Sequence, residues 1–547
     1  MERWHTLAAG SVSRRTFLRG ATIGGVGLAT AAVIGCGDDD DDDDGAAQPA
    51  QPAQTAQAAA TPTAAPATPE AKTLHLKNGA SGQPPSLDPS STAASDDIFW
   101  GIYDAMTRLD RDFNVIPHLA KSWELDQANL EWMFTLNEAE WSDGTKMTAE
   151  DVKFSHDYYG NPDNGSRLIS RVGTVESTRV VDDQTVAIKT KSLDPIMPRR
   201  SMFVLTIPKH IFEDPARGPA HQAQNGTGTG SYVVDDFLDA RTDLSASGGS
   251  WHGNAGVTQI TAFQIPEQTT RIAAFETNEI DIVAAIPTIE ADRVSGFPNV
   301  TVSGGRSTSQ LGWDIEYFQG PTADVRVRLA ICHSLDVPTI IDTIWSGRTQ
   351  PIRSQLAPEG IFGFTDRLEA FGYDPDESRR LLADAGFPNG FDIDFEFVSP
   401  YQPETKPFAE ASAGYLNEIG IGTDVIPIEL NVWRDGLYGN KQRAPIHYSP
   451  WSCFAAEVSF AMTWYRKSNP GKFYDNPEWE ATHDAAVSEI DDEKRRELYG
   501  ETSVIAAADP PAMWTLESVG LTGWRPDIVD WSPRVYPFIE YDTVVPA

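Results

Sequence analysis

Apolar and polar positions change period along the chain, and the changes mark its elements. Phe391-Asp392-Ile393-Asp394-Phe395-Glu396-Phe397 alternates apolar and acidic residues at period two, which predicts a half-buried strand. Just upstream, Asp374-Pro375-Asp376-Glu377 predicts a helix start, with the aspartate as cap and the proline at the first helical position. Gly386 is its stop. Downstream, the pattern predicts a helix over 407–419 and a strand over 423–430. Such a β-α-β unit should be right-handed and place ligand chemistry outside the carboxyl ends of its strands. The next candidate strand, 447–451, ends at Trp451-Ser452-Cys453-Phe454.

Other segments repeat the mixture. A strand is predicted over 131–136, followed by the turn Ser142-Asp143-Gly144 and then by Thr148-Ala149-Glu150-Asp151, which reads as a capping box opening a helix. A strand over 257–265, a helix over 267–277 and a strand over 280–286 form another β-α-β unit. Strands and helices interleave without a short internal repeat, so the fold class is α/β.

The amino-terminal pattern is different. Residues 21–35 are apolar and small but fall short of the roughly 20 residues that span a bilayer. Ser13-Arg14-Arg15-Thr16-Phe17-Leu18 precedes them and resembles the twin-arginine export signal. Val33-Ile34-Gly35-Cys36 closes them and resembles a lipobox, whose cysteine carries lipid in the mature protein. Residues 1–35 are therefore expected to be a lipoprotein signal, with Cys36 the lipidated residue. Firm anchoring then needs more than one acyl chain. Residues 36–72 hold seven consecutive aspartates, Asp38 to Asp44, and then an Ala/Pro/Gln/Thr-rich stretch too poor in large apolar residues to order itself. They read as a tether.

Composition narrows the function. The chain has 547 residues, enough for a large core, and a formal net charge of −36. Such a surface repels nucleic acid and anionic headgroups, so nucleic acid is excluded as a partner and the membrane is met only through the lipid. Besides Cys36 there are only Cys332 and Cys453, which allow one disulfide or none. Without His-x-x-x-His or Cys-x-x-Cys, no metal centre of His and Cys is expected. Gly226-Thr227-Gly228-Thr229-Gly230 leads into the strand-like Tyr232-Val233-Val234 rather than a helix, so it is not a phosphate cradle. Gly-x-Ser-x-Gly is absent, and His252, within Gly249-Ser250-Trp251-His252-Gly253, reads as part of a surface loop. No catalytic residue and no cofactor emerge.

An ordered set of short motifs resembles the extracellular solute-binding proteins of family 5, which include the dipeptide- and oligopeptide-binding lipoproteins of ABC importers. The set comprises Leu87-Asp88-Pro89, Tyr103-Asp104-Ala105-Met106, Pro117-His118-Leu119-Ala120-Lys121-Ser122-Trp123, Trp141-Ser142-Asp143-Gly144, Gly228-Thr229-Gly230-Ser231-Tyr232, Asn278-Glu279-Ile280-Asp281 and Val327-Arg328-Leu329-Ala330. The resemblance covers residues 73–545. It implies a periplasmic-binding-protein-like type II fold of two lobes with an extra subdomain. Lobe I is expected at 73–95, 227–310 and 515–547, the inserted subdomain at 96–226, and lobe II at 311–514. Further implications are a monomer outside the cytoplasm that captures a peptide or other small organic solute between its lobes and passes it to ABC permease subunits. Ligand sensing or chaperone-like binding without transport is the alternative use of the same fold.

By motif position the ligand-binding residues are Trp451, Ser452, Cys453 and Phe454, with Trp313, Asp314 and Trp100 at the cleft margins. Peptide-binding members carry an aspartate where Phe454 stands, and it holds the ligand's ammonium group. A buried ammonium without a counter-charge is costly. Unless Glu457 substitutes from its different place, the site suits an apolar, aromatic or uncharged ligand better than a free-amine peptide.

Overall fold

The computed structural model describes residues 75–547, except 81–83, 92–96, 215–217, 249–250, 254, 305–307, 400–401, 437–442, 470–473, 534–538 and the side chain of Phe454. The predicted signal with Arg14 and Arg15, the lipidation residue Cys36 and the tether all lie outside the described residues.

Among the described residues there are five sheets, and the three larger ones carry the fold. A seven-stranded sheet has the order Thr301–Gly304, Leu521–Trp524, Ile282–Ile286, His75–Ala80, Gln259–Gln264, Arg241–Ala246, Tyr232–Leu238. The predicted β-α-β unit over 257–286 forms, with helix Gln268–Glu276 between its strands. Those strands are not neighbours: His75–Ala80 lies between them and is parallel to both. Side chains alternate across the sheet. Leu76, Ile260 and Ile282 enter one core, while Ile272, Phe275 and Val283 build another.

Inserted in sequence between His75–Ala80 and Tyr232–Leu238 is an antiparallel four-stranded sheet, ordered Ala120–Asp126, Glu131–Leu136, Thr185–Thr190, Val175–Asp182. Its own core includes Phe134, Trp141, Val152 and Ile188. Helix Ala149–Gly160 starts where the capping box predicts, and the Asp151 carboxylate accepts from the Thr148 amide at 2.9 Å.

The third sheet is five-stranded, ordered Ile421–Ile428, Phe391–Val398, Ile446–Ser449, Gln310–Ile315, Ala512–Glu517. Its first three strands are mutually parallel, and the alternation at 391–397 puts Ile393, Phe395 and Phe397 in the core. Asp374 caps helix Pro375–Asp384 by accepting from the Glu377 amide at 2.9 Å. The chain passes between the seven- and five-stranded sheets twice, and the passages lie side by side: the Ser518 amide donates to the Ser309 carbonyl at 3.0 Å.

The glycine-rich stretch 226–230 packs tightly against a helix end. The Gly230 amide donates to the Ile102 carbonyl at 2.8 Å, and a Cβ on Gly228 would stand 1.9 Å from that oxygen. Cys332 and Cys453 are separate buried thiols, the first near the Ala512 carbonyl at 4.0 Å and the second near the Leu356 carbonyl at 3.6 Å. Among the described residues no helix is long and apolar enough to cross a membrane.

Candidate functional site

Strand Ile446–Ser449 ends at its carboxyl edge in a loop with unusual backbone. Ala455 and Ala456 have φ of 55° and 53° in succession. A Cβ in this left-handed region crowds the following carbonyl and costs roughly 1–2 kcal/mol per residue. The surroundings hold the loop in place. The Trp451 carbonyl accepts from the Gln310 amide at 3.1 Å, and the Cys453 amide donates to the Thr308 carbonyl at 2.6 Å. Phe362 exchanges two backbone bonds with the far side of the loop: its amide donates to Ala456, and its carbonyl accepts from Val458, both at 3.0 Å.

A side chain from the inserted segment reaches this loop. Arg199, in the short helix Met197–Ser201, donates from Nη1 to the Ala455 carbonyl at 2.7 Å, and its Nε lies 3.8 Å from Glu457 Oε2. Glu457 is fully buried. Burial pushes its carboxyl up to about 7, against the pull of the Arg199 and Arg495 guanidinium groups. The Phe362 ring has Arg495 and Arg496 over it at 4.6 Å and 4.7 Å, with Arg199 at 5.9 Å, while Arg200 lies 4.8 Å from the Phe460 ring. Four arginines thus gather here in a chain of net charge −36. A cavity of 260 Å³ opens beside them, walled by Phe113, Arg199, Phe362, Phe364 and Arg496.

A larger cavity of 750 Å³ lies at the passages between the sheets, against Ser303, Arg348, Glu359, Glu517 and Leu521. Glu359 lines one cavity and Gly360 the other, so a single segment serves both. A second bridge spans this region, where Thr288 donates from its amide and hydroxyl to Glu404 Oε1 at 3.2 Å and 2.9 Å.

The predicted site residues separate into two groups. Ser452, Cys453 and Glu457 belong to the strained loop, and Ser452 forms a bridge to Ser309. Trp451 opens the same loop but is buried, stacked on Trp464 at 4.6 Å and donating from Nε1 to Asp314 Oδ2 at 3.1 Å. Trp313 and Asp314 lie in an interior strand, both fully buried. Trp313 donates to Ser412 Oγ at 3.0 Å, and Asp314 accepts from the Tyr465 hydroxyl at 2.5 Å. Burial pushes the Asp314 carboxyl up to about 6. Trp100 is buried in helix Asp97–Ile102, with its carbonyl 3.4 Å from Arg108 Nη2. The backbone at Phe454 continues the loop, and its side chain lies outside the described residues.

Arg199 and Phe362 escape sequence reasoning because nothing local ties them to a loop 256 and 94 residues away respectively. The one available signal is the pair Arg199-Arg200 after Pro198 in an acidic chain. His252 corrects the surface-loop reading: its side chain is mostly covered and meets the buried Asp104.

Comparison with known proteins decides the family. The profile of bacterial extracellular solute-binding proteins, family 5 Middle, matches residues 114–473. This chain belongs to that family. It is a solute-binding protein of the extracytoplasmic space and not an enzyme. It is similar to the heme-binding protein A of Haemophilus influenzae, with 25% identity over 78% of this chain and 82% of that one. It is also similar to the dipeptide-binding protein of Escherichia coli, with 24% identity over 73% and 80% respectively. Among solved structures, a putative peptide-binding protein AppA from Clostridium difficile superposes with TM-score 0.78 at 18% identity, covering 86% of this chain and all of that one. The periplasmic binding protein DppA from Helicobacter pylori, in complex with the peptide STSA, gives 0.72 at 20% identity, covering 87% and 98%. The family 5 fold is therefore the two-lobe type II clamp with an extra subdomain, and the three sheets supply its α/β framework.

Proposed function

We propose that this solute-binding protein is the lipid-anchored receptor of an ABC importer, holding a small organic solute between two lobes and delivering it to the permease. Lobe I is 73–95 with 227–310 and 515–547, the inserted subdomain 96–226, and lobe II 311–514. The seven-, four- and five-stranded sheets support this division, except that strands Gln310–Ile315 and Ala512–Glu517 lie wholly in the five-stranded sheet and so belong with lobe II. Cys36 carries the lipid, and the protein acts as a monomer.

One observation carries the binding reading: Arg199 of the subdomain docks on Ala455, in a loop of lobe II kept in left-handed backbone. Strain that the surroundings hold in place at the end of a central strand is the mark of a preorganised binding loop. A ligand touching both sides favours the closed state by its differential affinity, without covalent chemistry. The solute is apolar, aromatic or uncharged rather than a free-amine peptide. Phe454 replaces the expected acid, and Glu457, the loop's own carboxylate, is buried against Arg199 and unavailable to an ammonium group. Phe113, Phe362 and Phe364 contribute aromatic wall to the neighbouring cavity, beside Arg199 and Arg496.

Native mass spectrometry of protein purified without denaturation should show one retained small molecule per chain. That molecule, added back to stripped protein, should raise the unfolding temperature. Retention of nothing, with no thermal response to cell-extract fractions, would refute the receptor reading.

A further inference from the structure

Asp104, His118 and His252 come together from three separate segments: the end of the Asp97–Ile102 region, the approach to the four-stranded sheet, and the 251–253 loop. His118 Nε2 lies 2.8 Å from Asp104 Oδ1, and His252 Nε2 lies 3.0 Å from both carboxylate oxygens. The three donor groups all fall within 4.8 Å of one another. We propose that these residues form a site for a divalent cation of intermediate softness, such as Zn²⁺, Ni²⁺ or Co²⁺, which staples the subdomain to lobe I.

The donor set fits that class. Two imidazole nitrogens with one carboxylate are ligands typical of zinc and the later first-row metals rather than of calcium or magnesium. Bonds of about 2.1 Å at tetrahedral angles place neighbouring donors about 3.4 Å apart, so a cation would open the 2.8 Å and 3.0 Å contacts around Oδ1 by a few tenths of an ångström. The other oxygen, Oδ2, is already fixed from outside the triad. Thr229 Oγ1 donates to it at 2.9 Å and Trp251 Nε1 at 3.0 Å. Such outer partners orient a ligand and are half of a metal site's design. With Thr229 and Trp251 on Oδ2, the two imidazole nitrogens converge on the remaining oxygen, where a bound cation takes the place of the imidazole protons.

Charge points the same way. Arg108 approaches Asp104 Oδ1 at 3.9 Å, and it is bound by Asp542 with Glu540 also in its field. One guanidinium is shared by Asp104, Asp542 and Glu540, so the surroundings of Asp104 are acidic and favour a cation. Asp104 is fully covered while His118 and His252 keep small exposed edges, so there is a way in.

Titration of EDTA-stripped full-length protein with Co²⁺ tests this, read by the visible d–d bands, by calorimetry and by unfolding temperature. One ion per chain is expected, with a raised unfolding temperature and at least about 100-fold weaker binding in a His118→Asn, His252→Asn variant. Binding that survives in that variant assigns the ion to the acidic run at Asp38–Asp44 and overturns the proposal, as does absence of binding at millimolar metal. X-ray absorption of the Zn²⁺-loaded wild type needs no variant. It should show two imidazoles in the coordination shell, and a shell of oxygen alone overturns the proposal.

Discussion

Arg199 and Ala455 are 256 residues apart in sequence and 2.7 Å apart in space, guanidinium nitrogen to backbone carbonyl. The same guanidinium faces Glu457, which has no route to water. Removing one partner of a buried pair leaves the other charge stranded, at a cost of roughly 3–5 kcal/mol. Arg199→Met should therefore lower stability by about 3 kcal/mol in urea denaturation. Adding Glu457→Gln should recover much of that loss, and additive losses would show that the two groups do not interact.

The strained loop makes a second prediction. Glycine tolerates φ near 55° without the Cβ conflict. Ala455→Gly should raise stability by up to about 1 kcal/mol while weakening solute binding, because the loop is no longer held in one conformation. A variant equally tight and no more stable would show that the backbone at Ala455 is unstrained.

Asp314 sets a pH dependence. Its carboxyl is raised by burial from an ordinary 3.8 to about 6, so the folded protein binds a proton that the unfolded chain has released. Stability from this group is present at low pH and is lost as pH rises from about 4 through 6, on the order of 3 kcal/mol in all. Asp314→Asn should flatten that slope in thermal unfolding followed between pH 4 and 7, relative to the wild type. An unchanged slope would assign the dependence to other groups.

At the solute, Phe454→Asp should weaken binding of the native ligand at least about tenfold by fluorescence titration, since it puts a charge where the sequence has an aromatic ring. Unaltered affinity would remove residue 454 from the site.

At the membrane, Cys36→Ser should abolish lipid attachment and release the protein from the membrane fraction. A variant that still partitions there with a lipid-sized mass increment would refute the lipobox assignment.

What the sequence made legible was local. Asp374 caps its helix through a bond to a residue three positions on, and the 391–397 alternation is a property of one strand, so both can be read from neighbours alone. The β-α-β unit over 257–286 was visible, but the strand between its two strands comes from 75–80, and nothing in either segment encodes that partnership. The same limit hid most of the site. Trp451 was reached through motif position and Glu457 only as a nearby carboxylate, while Arg199, Phe362 and the meeting of His118 with His252 depend on contacts that close only when separate segments fold together. Burial is also unreadable from identity: Trp313 and Asp314 look like margin residues and occupy an interior strand.

Cys332 and Cys453 sit in the core as thiols, each beside a different backbone carbonyl. Burial pushes both well above the ordinary thiol range, so neither supplies a thiolate for exchange. The described fold therefore owes nothing to an oxidant. It reaches the same end state on the reducing and the oxidising side of a membrane, which leaves the order of folding and translocation free. A carrier that accepts only finished proteins, as the Arg14-Arg15 pair proposes, then imposes no chemical penalty on this one.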